Sequence, residues 1–409
     1  MKRVLVLSTY PLVLPRHGGQ VRLSNIVMAY SSAGWDVKTL AVYEPEGFGK
    51  EEVAETDVCF PVDAPERHVD GKRVHVVNDL LASRFVENES NFHLFKDNLE
   101  EDFDIIHVEQ PWMWPLAEIV SKQGSSKPLL IYGSQNIESA MKKDMLQLLS
   151  PEDQVNFINS IDALERRAAK GADICLAVTP SDKAVIEGWG AKKVVLAPNG
   201  VSPINASSEA KSKWRRSLPR GIKLLYIASA HLPNYSGFFD YLGEGLGCIP
   251  PDATVIIVGG AGSVLKDIAL RSRWSDLIFR KTLFLGSVSD EDLAAIKELA
   301  DVYILPVQGG GGSSLKAAEA LYSGKPVFSS ASGLRGFEEF HSDPLVKVFQ
   351  DGEGFRNGLR DFFSGGRGVI KVCQAGIGYR STLTWGSALN SIVPEISSVL
   401  GEWNGKAMA

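Results

Sequence analysis

Short apolar runs rich in β-branched residues alternate along the chain with segments of helical period. Val4–Leu7 is the first such run, Leu23, Ile26, Val27 and Tyr30 follow at i, i+3, i+4 and i+7, and Val37–Val42 is the next run. This is a β-α-β unit, with Gly34 where a helix C-terminal cap belongs. The rhythm returns at Ile105–Val108, Leu129–Tyr132, Ile174–Val178 and Val194–Leu196. Strands that are apolar throughout, rather than on alternate positions, predict a parallel sheet covered on both faces.

Residues 198–222 run from Pro198-Asn199-Gly200 through a stretch rich in Ser, Ala and Lys to Pro219-Arg220-Gly221, and no apolar period is sustained there. A linker is therefore expected at 201–222, after a first domain at 1–200. The rhythm restarts at Leu224–Ala228, Thr254–Val258, Leu283–Leu285, Val302–Leu305 and Pro326–Ser329, with a helix over Asp290–Leu299 that Ser289 can cap. A second domain at 223–384 follows, so the expected fold class is α/β, two doubly wound Rossmann-like domains in tandem. The tail is apolar at 385, 388, 389, 392, 393 and 396. This stripe predicts a helix over about 385–409 that packs against a domain already built.

Composition narrows the partners. The 409 residues are 44% apolar and 22% charged, which suits an ordinary folded chain. The net charge is −6, the acidic excess lies in the first half, and no basic run exceeds a pair such as Lys142–Lys143. Nucleic acid is thereby excluded as a partner, and a strong electrostatic membrane anchor is not expected. Cys59, Cys175, Cys248 and Cys373 are too dispersed for a zinc knuckle or a disulfide frame, which fits a reducing cytoplasm. Lys2-Arg3 before Val4–Leu7 imitates a secretory signal, but the apolar run stops at Ser8, and Pro11, Pro15 and Arg16 follow.

Three glycine clusters and a few polar side chains are the candidates for chemistry. Gly309 to Gly312 with Ser313 and Ser314 lie between a strand and the helical stretch from Leu315. Backbone amides without Cβ bulk at the positive end of a helix form a cradle for phosphate oxygens. Lys316 is within a turn of it, and Glu319, one turn on, has the two acceptor oxygens that ribose hydroxyls require; alternatively both belong to a solvated helix face. Gly259-Gly260-Ala261-Gly262 opens like a dinucleotide fingerprint, but Leu265 stands where the third glycine belongs, so a nicotinamide site is not expected. Gly18-Gly19, with Arg16, Arg22 and Asn25 nearby, is either a place of close ligand approach or a helix cap. Asp102-x-Asp104 precedes a strand and reads as a surface turn, not a metal pair. His107, at the end of its strand, either faces a ligand or is a hydrogen-bonded structural histidine.

In this order the motifs resemble the family-four retaining glycosyltransferases of the GT-B fold, over nearly the whole chain. The resemblance is carried by Pro15-x-x-Gly18-Gly19-x-x-Arg22, Gln135-Asn136-Ile137-Glu138, Ala197-Pro198-Asn199-Gly200-Val201 and Leu232-Pro233-Asn234. Above all it is carried by Gly311-x-Ser313-x-x-Lys316-x-x-Glu319-Ala320-Leu321-x-x-Gly324-x-Pro326-Val327. It implies two Rossmann-like domains facing across a cleft, the acceptor on the first, the donor nucleotide on the second, and a final helix crossing back to the first. Implied donor contacts are Gly18, Gly19, Gly259, Gly260, Val288, Gly311, Gly312, Ser313, Ser314 and Leu315. Arg22, His107, Gln135 and Asn136 fall on the acceptor side, and Lys316 and Glu319 are the implied catalytic residues. Three features depart from the family. Gly311 stands where many members carry a glutamate that touches the donor sugar, the arginine and lysine that many members use on the diphosphate would fall near Ser229 and Pro233, and Gln135 replaces a histidine often found at the acceptor side.

The resemblance implies transfer of a sugar from a nucleoside-diphosphate sugar to a glycan, lipid-linked or small-molecule acceptor, with retention at the anomeric carbon. No metal or other cofactor is expected. The acceptor class leaves room for weak peripheral association with the inner membrane face. Two rivals share the fold: a nucleotide-sugar epimerase, which needs carboxylates flanking the sugar and has a glycine at 311, and a non-catalytic partner that binds a nucleotide sugar or glycan.

Overall fold

A computed structural model describes residues 1–69, 72–73, 77–99, 101–365 and 380–407. The chain divides into two compact units, Met1–Pro198 together with the segment from Ala388, and Asn199–Ser387. Each is built on one parallel sheet. In the first unit the strands lie in the order Val58–Cys59, Asp36–Tyr43, Arg3–Ser8, Ile105–Glu109, Leu129–Gly133, Ile174–Ala177 and Val194–Leu196. In the second the order is Thr282–Phe284, Ala253–Val258, Ile222–Ile227, Val302–Leu305, Val327–Ser330 and Val346–Phe349. Helices connect the strands on both sides, which is the doubly wound α/β class expected from the apolar runs.

The second sheet shows why those runs are continuous. Leu225, Ile256 and Tyr303 enter one buried cluster, whereas their neighbours Leu224, Tyr226, Val255, Ile257, Val302 and Ile304 enter another on the opposite face. Side chains alternate across a strand, so a strand covered on both faces must be apolar at every position. In each sheet the direction of strand succession reverses once, beside Arg3–Ser8 and Ile105–Glu109 in the first and beside Ile222–Ile227 and Val302–Leu305 in the second. The loops leaving the carboxyl ends of such strand pairs diverge and leave a crevice.

The linker expectation needs correction. Ser208–Ser217 is a helix of the second unit, capped by Ser207, whose hydroxyl accepts from the Ala210 amide at 3.1 Å. Its stripe is short, Ala210, Trp214 and Leu218, but all three are buried in the second unit's core. Trp214 Nε1 donates to Asp292 Oδ1 at 2.7 Å, pinning the helix to Asp290–Leu299. The remaining positions are mostly Lys, Arg and Ser, which masks the stripe in the sequence.

The second unit is closed where its chain enters and leaves. Val201 pairs in parallel with Thr384, the Val201 amide donates to Leu383 O at 2.8 Å, and the Trp385 amide donates to Val201 O at 3.2 Å. Gly200 is required there, because a Cβ would stand 2.6 Å from the Trp385 nitrogen. The tail stripe therefore splits: Trp385–Ala388 and Ile392–Ala407 are separate helices, Trp385 belongs to the second unit, and the first unit takes over at Ala388. Ile392 and Ile396 are fully buried in the first unit, and Glu395 pairs with Lys193 at 2.6 Å.

Trp214→Ala should lower the unfolding free energy of the second unit by about 3 kcal/mol, the scale for deleting a buried Trp. Lys213→Ala, which removes the exposed partner of Asp292 and a cation over the Trp214 ring, should cost no more than about 1 kcal/mol. Urea denaturation compares the two, and equal small effects would restore the linker reading.

Candidate functional site

In the first unit one carboxylate organises the carboxyl edge. Glu109 ends its strand and is fully buried. Its Oε1 accepts from Arg22 Nε at 3.2 Å and Gln135 Nε2 at 3.0 Å, and its Oε2 is 2.9 Å from His107 Nε2. His107 Nδ1 meets the Tyr30 hydroxyl at 2.7 Å, and Arg22 Nη1 donates to Ala197 O at 2.7 Å. Local sequence explains the convergence. His107 and Glu109 are two apart on a strand and share a face, and Arg22 and Tyr30, eight apart on the helix Gly18–Ser32, share another. Burial raises the Glu109 carboxyl, but the His107 hydrogen bond, the Arg22 cation and Gln135 outweigh it, so the group sits below its ordinary value.

Three sequence-predicted residues, Arg22, His107 and Gln135, therefore come together, and Glu109, which joins them, was missed. His107 has no exposed surface, so its role is to hold Glu109, not to face a ligand. Gln135 Nε2 also donates to the Tyr10 hydroxyl and approaches Gly19 O at 3.4 Å. Gly18 and Gly19 open the helix behind His17, which caps it together with Gln20. A Cβ on Gly19 would lie 2.7 Å from Gln135 Oε1, so the close approach there is to the protein's own side chain. Asn136 turns elsewhere: with Gln110 it donates to Glu138 Oε1, at 3.3 and 2.9 Å. Gln110 holds φ 62 and ψ 164, an uncommon backbone for a residue with a Cβ, and Glu138 Oε2 is buried with no hydrogen-bond partner among the described residues.

The second unit carries the glycine loop. Gly309, Gly310 and Gly312 have φ of 79, 110 and 59, a region that favours glycine. Ser314 caps the helix Leu315–Ser323, accepting from the Ala317 amide at 3.3 Å. Ser313 is 9% exposed, and its hydroxyl has no partner among the described residues. Arg335, which follows the neighbouring strand Val327–Ser330, donates from Nε to Gly311 O at 2.9 Å and from Nη1 to Ser332 O at 2.7 Å and Gly309 O at 3.4 Å. Lys316 is pushed down to about 8 by burial and then by the Arg335 charge, partly offset by Glu319. His231 is lowered by burial and by the charges of Lys316 and Arg335. Two cationic side chains, Lys316 and Arg335, thus lie beside the glycine loop with His231, which burial and their charges hold towards its neutral form, and Arg335 and His231 were not anticipated. Glu319, the nearby carboxylate, accepts from Lys297 Nζ at 2.8 Å.

The other glycine pair serves the same edge. Gly259 has φ 98, and a Cβ there would stand 2.5 Å from Ala228 O; one on Gly260 would be 3.0 Å from the Ala230 amide. These glycines let one strand-end loop press on the next. Val288 packs partly buried against the core ahead of the Ser289 cap, and Leu315 is the first residue of its helix.

Residues 16–204 match the family described as Glycosyltransferase Family 4, and residues 222–357 match Glycosyl transferases group 1. The chain is a GT-B glycosyltransferase. Sucrose-phosphate synthase from Thermosynechococcus elongatus superimposes with a TM-score of 0.71 at 16% identity, over 98% of this chain and 100% of that one. The Anabaena protein HepE, crystallised with UDP, gives 0.65 at 16% identity over 97% and 100%. A 44.6 kDa protein of the Klebsiella pneumoniae cps region is 22% identical over 367 residues, 85% of this chain and 87% of that one.

The positions where this glycosyltransferase departs from its family have structural work. Ser229 accepts from Asn234 Nδ2 through its carbonyl at 3.0 Å and its hydroxyl at 3.2 Å. Pro233 O receives the Gln308 amide at 3.0 Å. The two loops at the second reversal point are thereby stitched together. No group of three or more potential metal ligands occurs among the described residues.

Glu109→Gln should cost the first unit about 3 kcal/mol or more, because it leaves Arg22 as a buried charge without its carboxylate. A carboxyl lowered in the folded state stabilises fully above its unfolded value of 4.5, and that contribution is lost as pH falls through the folded value. Denaturation between about pH 3 and about pH 7 should therefore show a weaker acid dependence for Glu109→Gln than for the wild type. Parallel curves would deny Glu109 its charge.

Proposed function

We propose that this glycosyltransferase moves a sugar from a nucleoside-diphosphate sugar, held by the second unit, to a glycan or lipid-linked acceptor recognised by the first, with retention at the anomeric carbon. The observation that carries the reading is the glycine loop at a helix N-terminus, with Lys316 and Arg335 beside it and the Ser313 hydroxyl buried without a partner among the described residues. Crowded cations raise one another's energy, and an anionic ligand relieves this. Backbone amides, the helix dipole and Lys316 would stabilise the charge that develops on the departing diphosphate, so no metal enters the proposed mechanism. The acceptor hydroxyl would lose its proton largely to the departing phosphate. Glu319 would hold the ribose, exchanging part of its contact with Lys297. The Klebsiella relative from a cps region supports a place in polysaccharide assembly, in the cytoplasm or at the inner membrane face.

Incubation with a panel of nucleotide sugars and glycan acceptors should give acceptor-dependent release of nucleoside diphosphate; sugar isomerisation, or binding without release, would overturn the assignment. Affinity for nucleoside diphosphate should be full below about pH 8 and fall above it as Lys316 loses its proton. In Lys316→Arg, whose guanidinium stays charged, calorimetry should show no such fall. Glu319→Gln should weaken a ribonucleoside diphosphate by about 1–3 kcal/mol, the loss of hydrogen bonds to a charged group, and leave the 2′,3′-dideoxy analogue unchanged. Equal weakening of both would remove Glu319 from the ribose site.

A further inference from the structure

We propose that Arg335 is the positioning residue that presets the anion-binding face of the glycine loop. The inference rests on the donor-site reading and goes beyond it by assigning the amides that meet the diphosphate and the side chain that aims them. In a planar trans peptide the carbonyl of one residue and the amide of the next point in opposite directions. Arg335 draws the carbonyls of Gly309 and Gly311 towards its guanidinium. The amides of Gly310 and Gly312 are thereby turned away from it. Neither donates to any group among the described residues. The amide of Ser314 is occupied separately, donating to Arg335 O at 3.1 Å.

The planar fork of arginine suits this task. One guanidinium reaches three carbonyls, those of Gly309, Gly311 and Ser332, from two of its nitrogens. A lysine would have to meet all three carbonyls from a single ammonium. The glycines complete the device. Gly310 has φ 110, a backbone in which a side chain is strained, and a Cβ there would crowd the guanidinium, 2.9 Å from Arg335 Cζ. The carbonyl dipoles face the cation, and the amide dipoles face outwards as an anion nest beside the Ser313 hydroxyl.

The test uses the full-length protein and calorimetric titration with UDP, ADP, GDP and dTDP, followed by the nucleoside of whichever binds best. Arg335→Lys and Arg335→Ala should both weaken the diphosphate roughly 10- to 100-fold, the scale of one lost charge-assisted hydrogen bond, while nucleoside affinity stays within about twofold. Millimolar guanidinium should restore part of the loss in Arg335→Ala and none in Arg335→Lys. Gly310→Ala keeps the charge but displaces the guanidinium, and it should show the same selective loss. Wild-type affinity in Arg335→Lys would reduce Arg335 to a charge and overturn the proposal, as would equal loss of nucleoside and diphosphate. A folded wild type that binds none of the four diphosphates overturns the donor-site reading itself, before any variant is compared.

Discussion

The buried charge of Glu109 sets the architecture of the first unit's carboxyl edge. A carboxylate without solvent must be matched by donors, and each donor here comes from a different place: Arg22 from the first helix, His107 from the same strand, Gln135 from the loop after the next strand. Arg22 in turn reaches Ala197 O, close to the end of the unit's first segment. Four parts of the chain far apart in sequence are thus held in register by one ion. Tyr10, Tyr30 and Gly19 are positioned by the same network at one remove.

The second unit follows the opposite electrostatic plan. Beside its glycine loop, basic side chains lie close enough to act on one another. Burial and the Arg335 charge lower Lys316, burial and the charges of Lys316 and Arg335 lower His231, and Glu319, the carboxylate Lys316 feels, is taken by Lys297. A closed network gives rigidity and needs no ligand. Like charges held close release free energy when an anion arrives, which is what the proposed donor site requires.

Much of this was legible in the chain. Continuous apolar runs marked the strands of both sheets except the edge strands Val58–Cys59 and Val346–Phe349, because burial on two faces leaves no polar positions. The glycine loop could be read because its backbone demands glycine: φ of 79 and 110 in succession strains any residue with a side chain. Glu109 was not legible, since a carboxylate at a strand end looks like a surface residue until the helix carrying Arg22 is laid over it. Arg335 lies more than twenty residues from the loop it holds, and only the pairing of Val327–Ser330 with Val302–Leu305 brings it there. The helix Ser208–Ser217 was missed because three buried positions among basic residues make too weak a period, and its partner Asp292 is remote in sequence.

The parallel pairing of Val201 with Thr384 has a consequence for synthesis on the ribosome. The second unit is an insertion in the first, entered and left through two adjacent strands of chain. When Pro198 emerges, the first sheet has all its strands but not the helix that contributes Ile392 and Ile396. A seam meant for buried side chains stays open while nearly two hundred further residues are made. The inserted unit has no such debt, because its own ends meet. The order of completion is therefore the reverse of the order of translation: the unit begun first is sealed last, by a helix that arrives only after the inserted unit has been delivered whole.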